Sequence, residues 1–342
     1  MGDLRMGIIG FGRIGAEHAG WLEGCAGIRA AAVADVTQAR REMARGRGLI
    51  VRERLGELLD DPEIDAILVS TPTSMHFEQA SAALAAGKHV MIEKPIAINL
   101  EQAKKLAESA GKGKRILSVF HNRRWDADYL AVKSAIELGV FGKIINVESR
   151  LGQWASCVGP AAREYRPNWR NESAFGGGAL FDWGSHFVDQ IWQLMLPAKP
   201  IRVFAQLRQN VWSSDCDDFA RICIDFDNGA VGLVEINTTT TQPLARWHID
   251  GTAGSANSPF SLEFDVRRWA ELEFKPAGGA VAHRLPDAKA GLTETQIWER
   301  FADAIGGRGE PAVTVESVLP TMVLLDAARE SGLGGRAVSV LV

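Results

Sequence analysis

The stretch MGIIGFGRIG, residues 6–15, decides the fold of the first third of the chain. A short apolar run ends at Ile9, the pattern Gly10-x-Gly12-x-x-Gly15 follows at once, and a helical pattern begins directly after it. In a strand–turn–helix of this kind, the first glycine permits the tight turn and the second lets backbone N–H groups approach a pyrophosphate. The third lets the helix pack closely on the strand. The stretch therefore predicts a dinucleotide site with its phosphates at a helix N-terminus.

A second apolar run supports this interpretation. It covers Ala31–Ala34 and ends in Asp35, 20 residues beyond Gly15. A carboxylate at that spacing can accept hydrogen bonds from the hydroxyls of an adenosine ribose. Because Asp35 would repel a 2′-phosphate, we expect NAD rather than NADP, although Arg40 and Arg41 could reach toward such a phosphate.

The composition of the 342 residues is ordinary, with 46% hydrophobic and 23% charged residues. A net charge of −4 without a polybasic run argues against nucleic acid or an anionic membrane as the main partner. We find no apolar run of about 18 residues or more and no room for a signal peptide before the first strand. Four scattered cysteines without a C-x-x-C pair argue against a metal site and a disulfide scaffold. They favour a reducing cytoplasm.

The order of secondary-structure patterns predicts an α/β protein with two domains. Over residues 1–122, buried-strand patterns alternate with helices, which is typical of a doubly wound parallel sheet and of a dinucleotide-binding domain. After residue 122, successive strand patterns follow without helices between them, one of them over Leu262–Phe274. They predict a large, mostly antiparallel sheet in an α+β domain over residues 123–342, which would bind substrate and form oligomers. With helices on one face only, the other face of that sheet needs cover. We therefore expect a homodimer or homotetramer, with tryptophans 212, 247 and 269 as candidates for the contact.

The carboxyl ends of parallel strands meet at one edge of a sheet, where ligands bind. Glu93-Lys94-Pro95 follows a predicted strand and should therefore lie in that crevice. A lysine there can donate hydrogen bonds to a substrate hydroxyl or to a cofactor, and its charge favours a developing alkoxide. A lysine at a strand end can equally be a solvated surface residue.

A second group of polar residues follows three glycines at positions 176–178. Asp182 and His186 are four residues apart and would share one face of a helix. A carboxylate beside an imidazole orients the ring and raises its basicity, which suits a general base. Asp189 could take that partner role instead. The alternative is an acid at a helix start and a core histidine without catalytic function.

Taken in this order, the three motifs resemble the Gfo/Idh/MocA family, which includes glucose–fructose oxidoreductase and inositol dehydrogenases. The resemblance implies a Rossmann domain, a second domain with an open sheet, and oxidoreduction of sugars or polyols with NAD(P). It also implies that Lys94, Asp182 and His186 are the catalytic residues. His186 would take the hydroxyl proton, Lys94 would orient the hydroxyl, and Asp182 would position His186 or bind substrate.

The resemblance extends the site to the loop that carries Thr71-Pro72 and His76. It also extends it to Trp169-Arg170, the pair that precedes the three glycines. The residues expected to bind the cofactor are Gly10, Phe11, Gly12, Arg13, Ile14, Gly15, Asp35, Ser70, Thr71, Pro72, His76, Glu93, Lys94, Trp169 and Arg170. Those expected to bind a sugar or polyol substrate are Lys94, Trp154, Arg170, Asp182 and His186. Trp125 and Trp169 are further candidates for an aromatic face against a sugar ring.

Two other functions remain open from the sequence. One is a cofactor-binding regulatory protein of the same fold, which would not need an intact acid–base set. The other is an NAD-dependent glycoside hydrolase, which would oxidise its substrate transiently and regenerate its cofactor.

Overall fold

The computed structural model describes residues 3–157, 169–209, 211–259, 269–279 and 281–341. The chain forms two β-sheets, of which the first has six parallel strands in the order β3-β2-β1-β4-β5-β6. These strands are β1 (Leu4–Ile9), β2 (Ile28–Ala34), β3 (Ile50–Arg52), β4 (Ala66–Val69), β5 (His89–Ile92) and β6 (Leu117–Val119). The helices between them are α1 (Arg13–Glu23), α2 (Gln38–Gly46), α3 (Leu55–Leu59), α4 (His76–Ala85) and α5 (Leu100–Gly113).

Both faces of this sheet are buried, as the continuous apolar runs of its strands require. In β4, Ile67 and Val69 face one core while Ala66 and Leu68 face the other. Strands β1 and β4 are paired neighbours, and the strand order reverses between them. A crevice therefore opens beyond the carboxyl ends of these two strands.

The second sheet has nine strands in the order β14-β13-β12-β11-β7-β10-β9-β8-β15. All neighbours are antiparallel except β7 and β10, which run parallel, so the expectation of a mostly antiparallel sheet is confirmed. The strands are β7 (Ile144–Gly152), β8 (Pro200–Arg208), β9 (Phe219–Phe226), β10 (Val231–Asn237), β11 (Trp247–Gly251), β12 (Gly254–Asn257), β13 (Glu273–Pro276), β14 (His283–Arg284) and β15 (Val338–Ser339). The helices of this part are α6 (Ala127–Glu137), α7 (Ser185–Met195), α8 (Glu294–Ile305) and α9 (Leu319–Gly334).

Helices α7 and α9 pack on one face of the second sheet, and on the other face the side chains of Phe204, Cys223 and Leu233 are partly exposed. Helix α8 instead returns to the first sheet, where Trp298 and Phe301 join the core beside α1. We propose a domain boundary near residue 122, with α8 as the part of the later chain that completes the first layer. No helix in the described ranges is long and apolar enough to cross a membrane.

Two expectations about the second sheet need correction. In the strand expected over Leu262–Phe274, residues 262–268 lie outside the described ranges, and the observed strand begins only at Glu273. Trp247 and Trp269 do not cover the face opposite α7 and α9, since they are 0% and 2% exposed. Along β11, Trp247 and Ile249 point into the core while the residue between them points outward, as the two-residue period of a strand requires.

Candidate active site

A cavity of about 920 Å³ lies at the carboxyl ends of the first sheet's strands, and side chains of the second part of the chain close its other side. Most of the predicted site residues line this cavity. They are Gly10, Gly12, Arg13, Ile14, Asp35, Ser70, Thr71, Pro72, His76, Glu93, Lys94, Trp169, Arg170, Asp182 and His186. The fold thus brings motifs that are far apart in the sequence to one place.

The glycine turn has the shape that a dinucleotide requires. A Cβ on Gly15 would lie 2.1 Å from the carbonyl oxygen of Gly10, so only glycine lets α1 pack this closely. A Cβ on Gly12 would meet no atom within 4 Å, because the space in front of it opens into the cavity. Helix α1 starts at Arg13 without a capping side chain, so its first N–H groups are available to a pyrophosphate. Gly15 therefore acts through packing and does not line the cavity.

At the far end of the cavity, Asp35 is held in a fixed orientation. Its Oδ2 accepts a hydrogen bond from the backbone N–H of Phe11 at 2.7 Å, and its Oδ1 accepts one from that of Thr37 at 2.8 Å. The ring of Phe11 is buried in the core, so Phe11 contributes its backbone and not its side chain. A carboxylate fixed in this way suits the two hydroxyls of a ribose.

Hydrogen bonds connect the loop after β4 to the glycine turn and to the loop after β5. The Ser70 hydroxyl donates to the carbonyl oxygen of Gly10 at 2.8 Å. The buried His76 ring lies between the carbonyl oxygens of Thr71 and Pro95, each 2.9 Å from a ring nitrogen. Burial lowers the pKa of His76. His76 therefore fixes the shape of these loops rather than presenting a free nitrogen to a ligand.

Glu93 is hydrogen-bonded to the buried His18, a residue that sequence reasoning missed. The indole N–H of Trp298 donates to His18 Nδ1 at 3.2 Å, so the proton of a neutral ring resides on Nε2, which lies 2.7 Å from Glu93 Oε1. The backbone N–H of Lys94 donates to the other oxygen of Glu93. Burial opposes ionisation of Glu93, but the interactions with His18 and Lys94 together outweigh it and the pKa of Glu93 is lowered. The sequence signal was the position of His18, on α1 three residues after Gly15.

Lys94, Asp182 and Arg170 form one cluster. Lys94 Nζ donates to the carbonyl oxygen of Asp182 at 2.7 Å and to its Oδ1 at 3.1 Å. Arg170 Nε lies 3.4 Å from the same Oδ1. Burial opposes ionisation of Asp182, but the two cations outweigh it and hold the pKa of this carboxyl below its usual range. A wide π-helical turn, Leu180–Gly184, carries Asp182 and leads directly into α7.

His186 lies on the first turn of α7, 6% exposed, at the wall of the cavity. Its Nδ1 is buried and has no hydrogen-bond partner among the described residues. The expectation that Asp182 or Asp189 bonds to this ring is wrong. Asp182 turns to its two cations, and Asp189 accepts two bonds of 2.7 Å from Arg124 and one of 2.8 Å from Thr321. Opposite charges contributed by distant segments outcompete the neighbouring imidazole.

Burial lowers the pKa of His186 well below its ordinary value of about 6.5, and the positive charges of Lys94 and Arg123 lower it further. The ring is therefore neutral at physiological pH. His121 packs edge-on against it, with the ring centroids 5.7 Å apart. A neutral imidazole in a positive environment can accept a proton from a hydroxyl whose oxygen gains negative charge.

Of the three tryptophans expected to face a sugar ring, only Trp169 lines the cavity. Trp154 is 52% exposed and packs edge-on against Trp212. Its neighbours Gln153 and Ala155 line the cavity instead. Side chains alternate along an extended segment, so Trp154 points to the opposite side.

Trp125 is also not a cavity residue, since it packs between the two cores. Sequence reasoning gave no role to Trp183 and Arg123, which do line the cavity. The Arg123 guanidinium lies over the Trp183 ring, 4.7 Å from its centroid. The signal for Arg123 was its position just after β6, at the same sheet edge as Lys94.

Comparisons with known proteins match both parts of the chain. Residues 4–121 match an oxidoreductase family with an NAD-binding Rossmann fold, and residues 129–257 match the Gfo/Idh/MocA C-terminal domain. The chain is 35% identical over 347 residues to the uncharacterized oxidoreductase YdgJ of Escherichia coli, with 96% of each chain covered. It is 32% identical to scyllo-inositol 2-dehydrogenase (NADP(+)) IolW of Bacillus subtilis over 52% of this chain and 47% of that protein. An NAD-binding protein from Listeria innocua has a similar structure, with a TM-score of 0.88, 29% identity, and 98% and 97% of the two chains covered.

The fold, the glycine turn and these matches define a Rossmann-fold oxidoreductase. The chain belongs to the Gfo/Idh/MocA family, because the two family matches together cover most of its length, with all of the first sheet and six of the nine strands of the second.

Proposed function

We propose that this oxidoreductase transfers a hydride between NAD and a secondary alcohol or ketone of a sugar or cyclic polyol. One observation carries the proposal: a neutral histidine, a lysine and a carboxylate line the same cavity as the glycine turn. The similarity to an inositol dehydrogenase supports the substrate class.

The roles follow from the contacts. The glycine turn and Asp35 would hold NAD, whose nicotinamide would supply the acceptor or donor of the hydride. His186 accepts the hydroxyl proton during oxidation and donates it back during reduction. Lys94 donates a hydrogen bond to the substrate oxygen and stabilises its negative charge. Asp182 keeps the Lys94 ammonium in place through the contacts of 2.7 and 3.1 Å.

Turnover with a panel of cyclic polyols and aldoses, read as NADH formation, tests this proposal. We expect at least one polyol or sugar to reduce NAD, and a substrate deuterated at the reacting carbon to deliver its deuterium to the nicotinamide. If no member of the panel reduces NAD, a regulatory protein of the same fold becomes the better account. Cleavage of a glycoside without net NADH would instead indicate the hydrolase.

We also propose a preference for NAD over NADP. Arg41 donates to the carbonyl oxygen of Asp35 and pairs with Glu53, so its charge is already engaged. Arg40 lines the cavity and lies 3.4 Å from the carbonyl oxygen of Phe11. The fixed carboxylate of Asp35 then remains as the group that faces the ribose hydroxyls.

Asp35→Ser should weaken NADH binding about 10- to 100-fold, because hydrogen bonds to a charged group are lost, and should weaken NADPH binding less. Fluorescence titration of both cofactors measures the change. Glu42→Gln, which removes an exposed charge on α2 outside the cavity, is the matched control. Tighter binding of NADPH than NADH by the unaltered protein would contradict the preference.

We propose that two or four copies associate through the face of the nine-stranded sheet opposite α7 and α9. A row of partly exposed apolar side chains crosses the neighbouring strands β8, β9 and β10, with Phe204 opposite Cys223 and Cys223 opposite Leu233. Light scattering at micromolar concentration should give a multiple of the monomer mass. Leu233→Lys should lower that mass, whereas Leu333→Lys, at an 85% exposed position on α9, should not. A monomer mass for the unaltered protein would contradict the proposal.

A further inference from the structure

The catalytic end of the cavity holds more hydrogen-bond donors than its own acids use. Arg123 and Arg170 line it with partly buried side chains, 25% and 19% exposed. Arg123 pairs with Asp126 through Nη1 alone, at 2.8 Å, and Arg170 contacts Asp182 through Nε alone. Among the described residues, no acceptor is bonded to Nε and Nη2 of Arg123 or to the two Nη groups of Arg170.

Both guanidinium groups are held by aromatic rings. Arg123 lies over Trp183 at 4.7 Å from the ring centroid, and Arg170 lies over Trp169 at 4.3 Å. Stacking fixes the plane of a guanidinium and leaves its edge free to bond. Each arginine therefore presents an oriented set of N–H groups rather than a mobile charge.

The two arginines lie around the turn that carries the catalytic groups. Arg170 and Lys94 contact Asp182, Arg123 contacts the next residue, Trp183, and His186 follows one turn later. Besides Asp126, which pairs with Arg123, the acids at this end are Asp182, shared by two cations, and Glu93, which is bonded to His18 and to the Lys94 backbone. The positive potential also extends to His186. Burial lowers the pKa of this residue, and the charges of Lys94 and Arg123 lower it further.

We propose that the substrate carries an anionic group, a carboxylate or a phosphate, in addition to its reacting hydroxyl, and that Arg123 and Arg170 bind this group. The inference rests on the proposed function, since it names the class of sugar or polyol that the site takes. A guanidinium edge matches the paired oxygens of a carboxylate or phosphate, and charge-assisted bonds of this kind are stronger than those to a hydroxyl. An acidic sugar would thus be oriented at one end by arginines and at the other by Lys94 and His186.

Calorimetric titration of the protein–NADH complex tests this without requiring turnover. One arm compares hexuronates and quinate with their uncharged amides, which have nearly the same shape. A second arm compares hexose 6-phosphates with the parent hexoses. We expect the charged member of at least one pair to bind about 10- to 100-fold more tightly, with a difference that shrinks as salt is added.

Arg123→Gln should remove most of that difference, and Arg123→Lys should retain part of it, because lysine keeps the charge but not the planar edge. Arg45→Gln is the matched control, since Arg45 is an exposed residue of α2 outside the cavity. If no charged compound binds more tightly than its neutral counterpart, or if Arg123→Gln leaves the difference intact, the inference is overturned. Turnover of neutral sugars with no such difference would leave the proposed function standing. Tighter binding of acids without any hydride transfer would reject the proposed function and keep the anion site.

Discussion

Replacing His186 with alanine should lower kcat for alcohol oxidation by about 10²- to 10⁴-fold, the usual contribution of a positioned acid–base group. The ring is neutral because it is buried beside positive charges, so the wild-type protein has a base ready at physiological pH. Removing it leaves the glycine turn and Asp35 untouched, and NADH affinity should stay nearly unchanged. Steady-state kinetics and NADH titration, run side by side, measure the two effects.

His283→Ala is the matched control, because His283 is an exposed histidine on β14 outside the cavity. It should leave both kcat and NADH affinity as they are. Near-normal turnover of the His186→Ala protein on its true substrate would show that another group accepts the proton.

Lys94→Ala should lower kcat by about 10²- to 10³-fold, the usual cost of removing one donor to a developing oxyanion. Its effect should be broader than that of His186→Ala. Asp182 would retain only the longer contact with Arg170, and Lys94 lies beside Glu93 in the same cavity as the glycine turn. We therefore expect NADH binding to weaken as well.

Lys94→Arg separates charge from geometry, since it keeps the positive charge but changes the position of the donors. Lys104→Ala, on the exposed surface of α5, is the control. Stopped-flow measurement of a single turnover distinguishes slower hydride transfer from weaker binding. If Lys94→Ala changed only the NADH dissociation constant, the oxyanion role would be wrong.

Local patterns in the sequence were enough to predict the first sheet and to bring the glycine turn and Asp35 to one cavity. The glycine turn and Asp35 belong to one unit of consecutive elements, β1–α1–β2, where spacing determines geometry. The convergence of Glu93, Lys94 and the loop after β4 also followed, because parallel strands end at one edge.

The contacts around His186 could not be predicted in the same way. Four-residue spacing suggested that Asp182 would bond to His186, but Lys94 lies 88 residues away in the sequence and bonds to Asp182 instead. Arg124, 65 residues from Asp189, engages the other candidate. Such pairings depend on how the two sheets meet, which no local pattern contains.

The assignment of Trp154 failed for a simpler reason. Its place in the sequence, near the end of β7, was right for the cavity, but its direction was not. One residue either way, at Gln153 or Ala155, the chain does reach the cavity.

The pH dependence of hydride transfer is the most direct test of the account. Oxidation requires neutral His186, so its rate should be full above the pKa of this residue and fall as the pH drops through it. Because burial and neighbouring cations place that pKa well below about 6.5, the wild-type single-turnover rate should stay level through pH 6.5 and fall only at more acidic pH. The His186→Ala protein should have a low rate without this acid limb. An acid limb that persists unchanged in His186→Ala would contradict the assignment of His186 as the base.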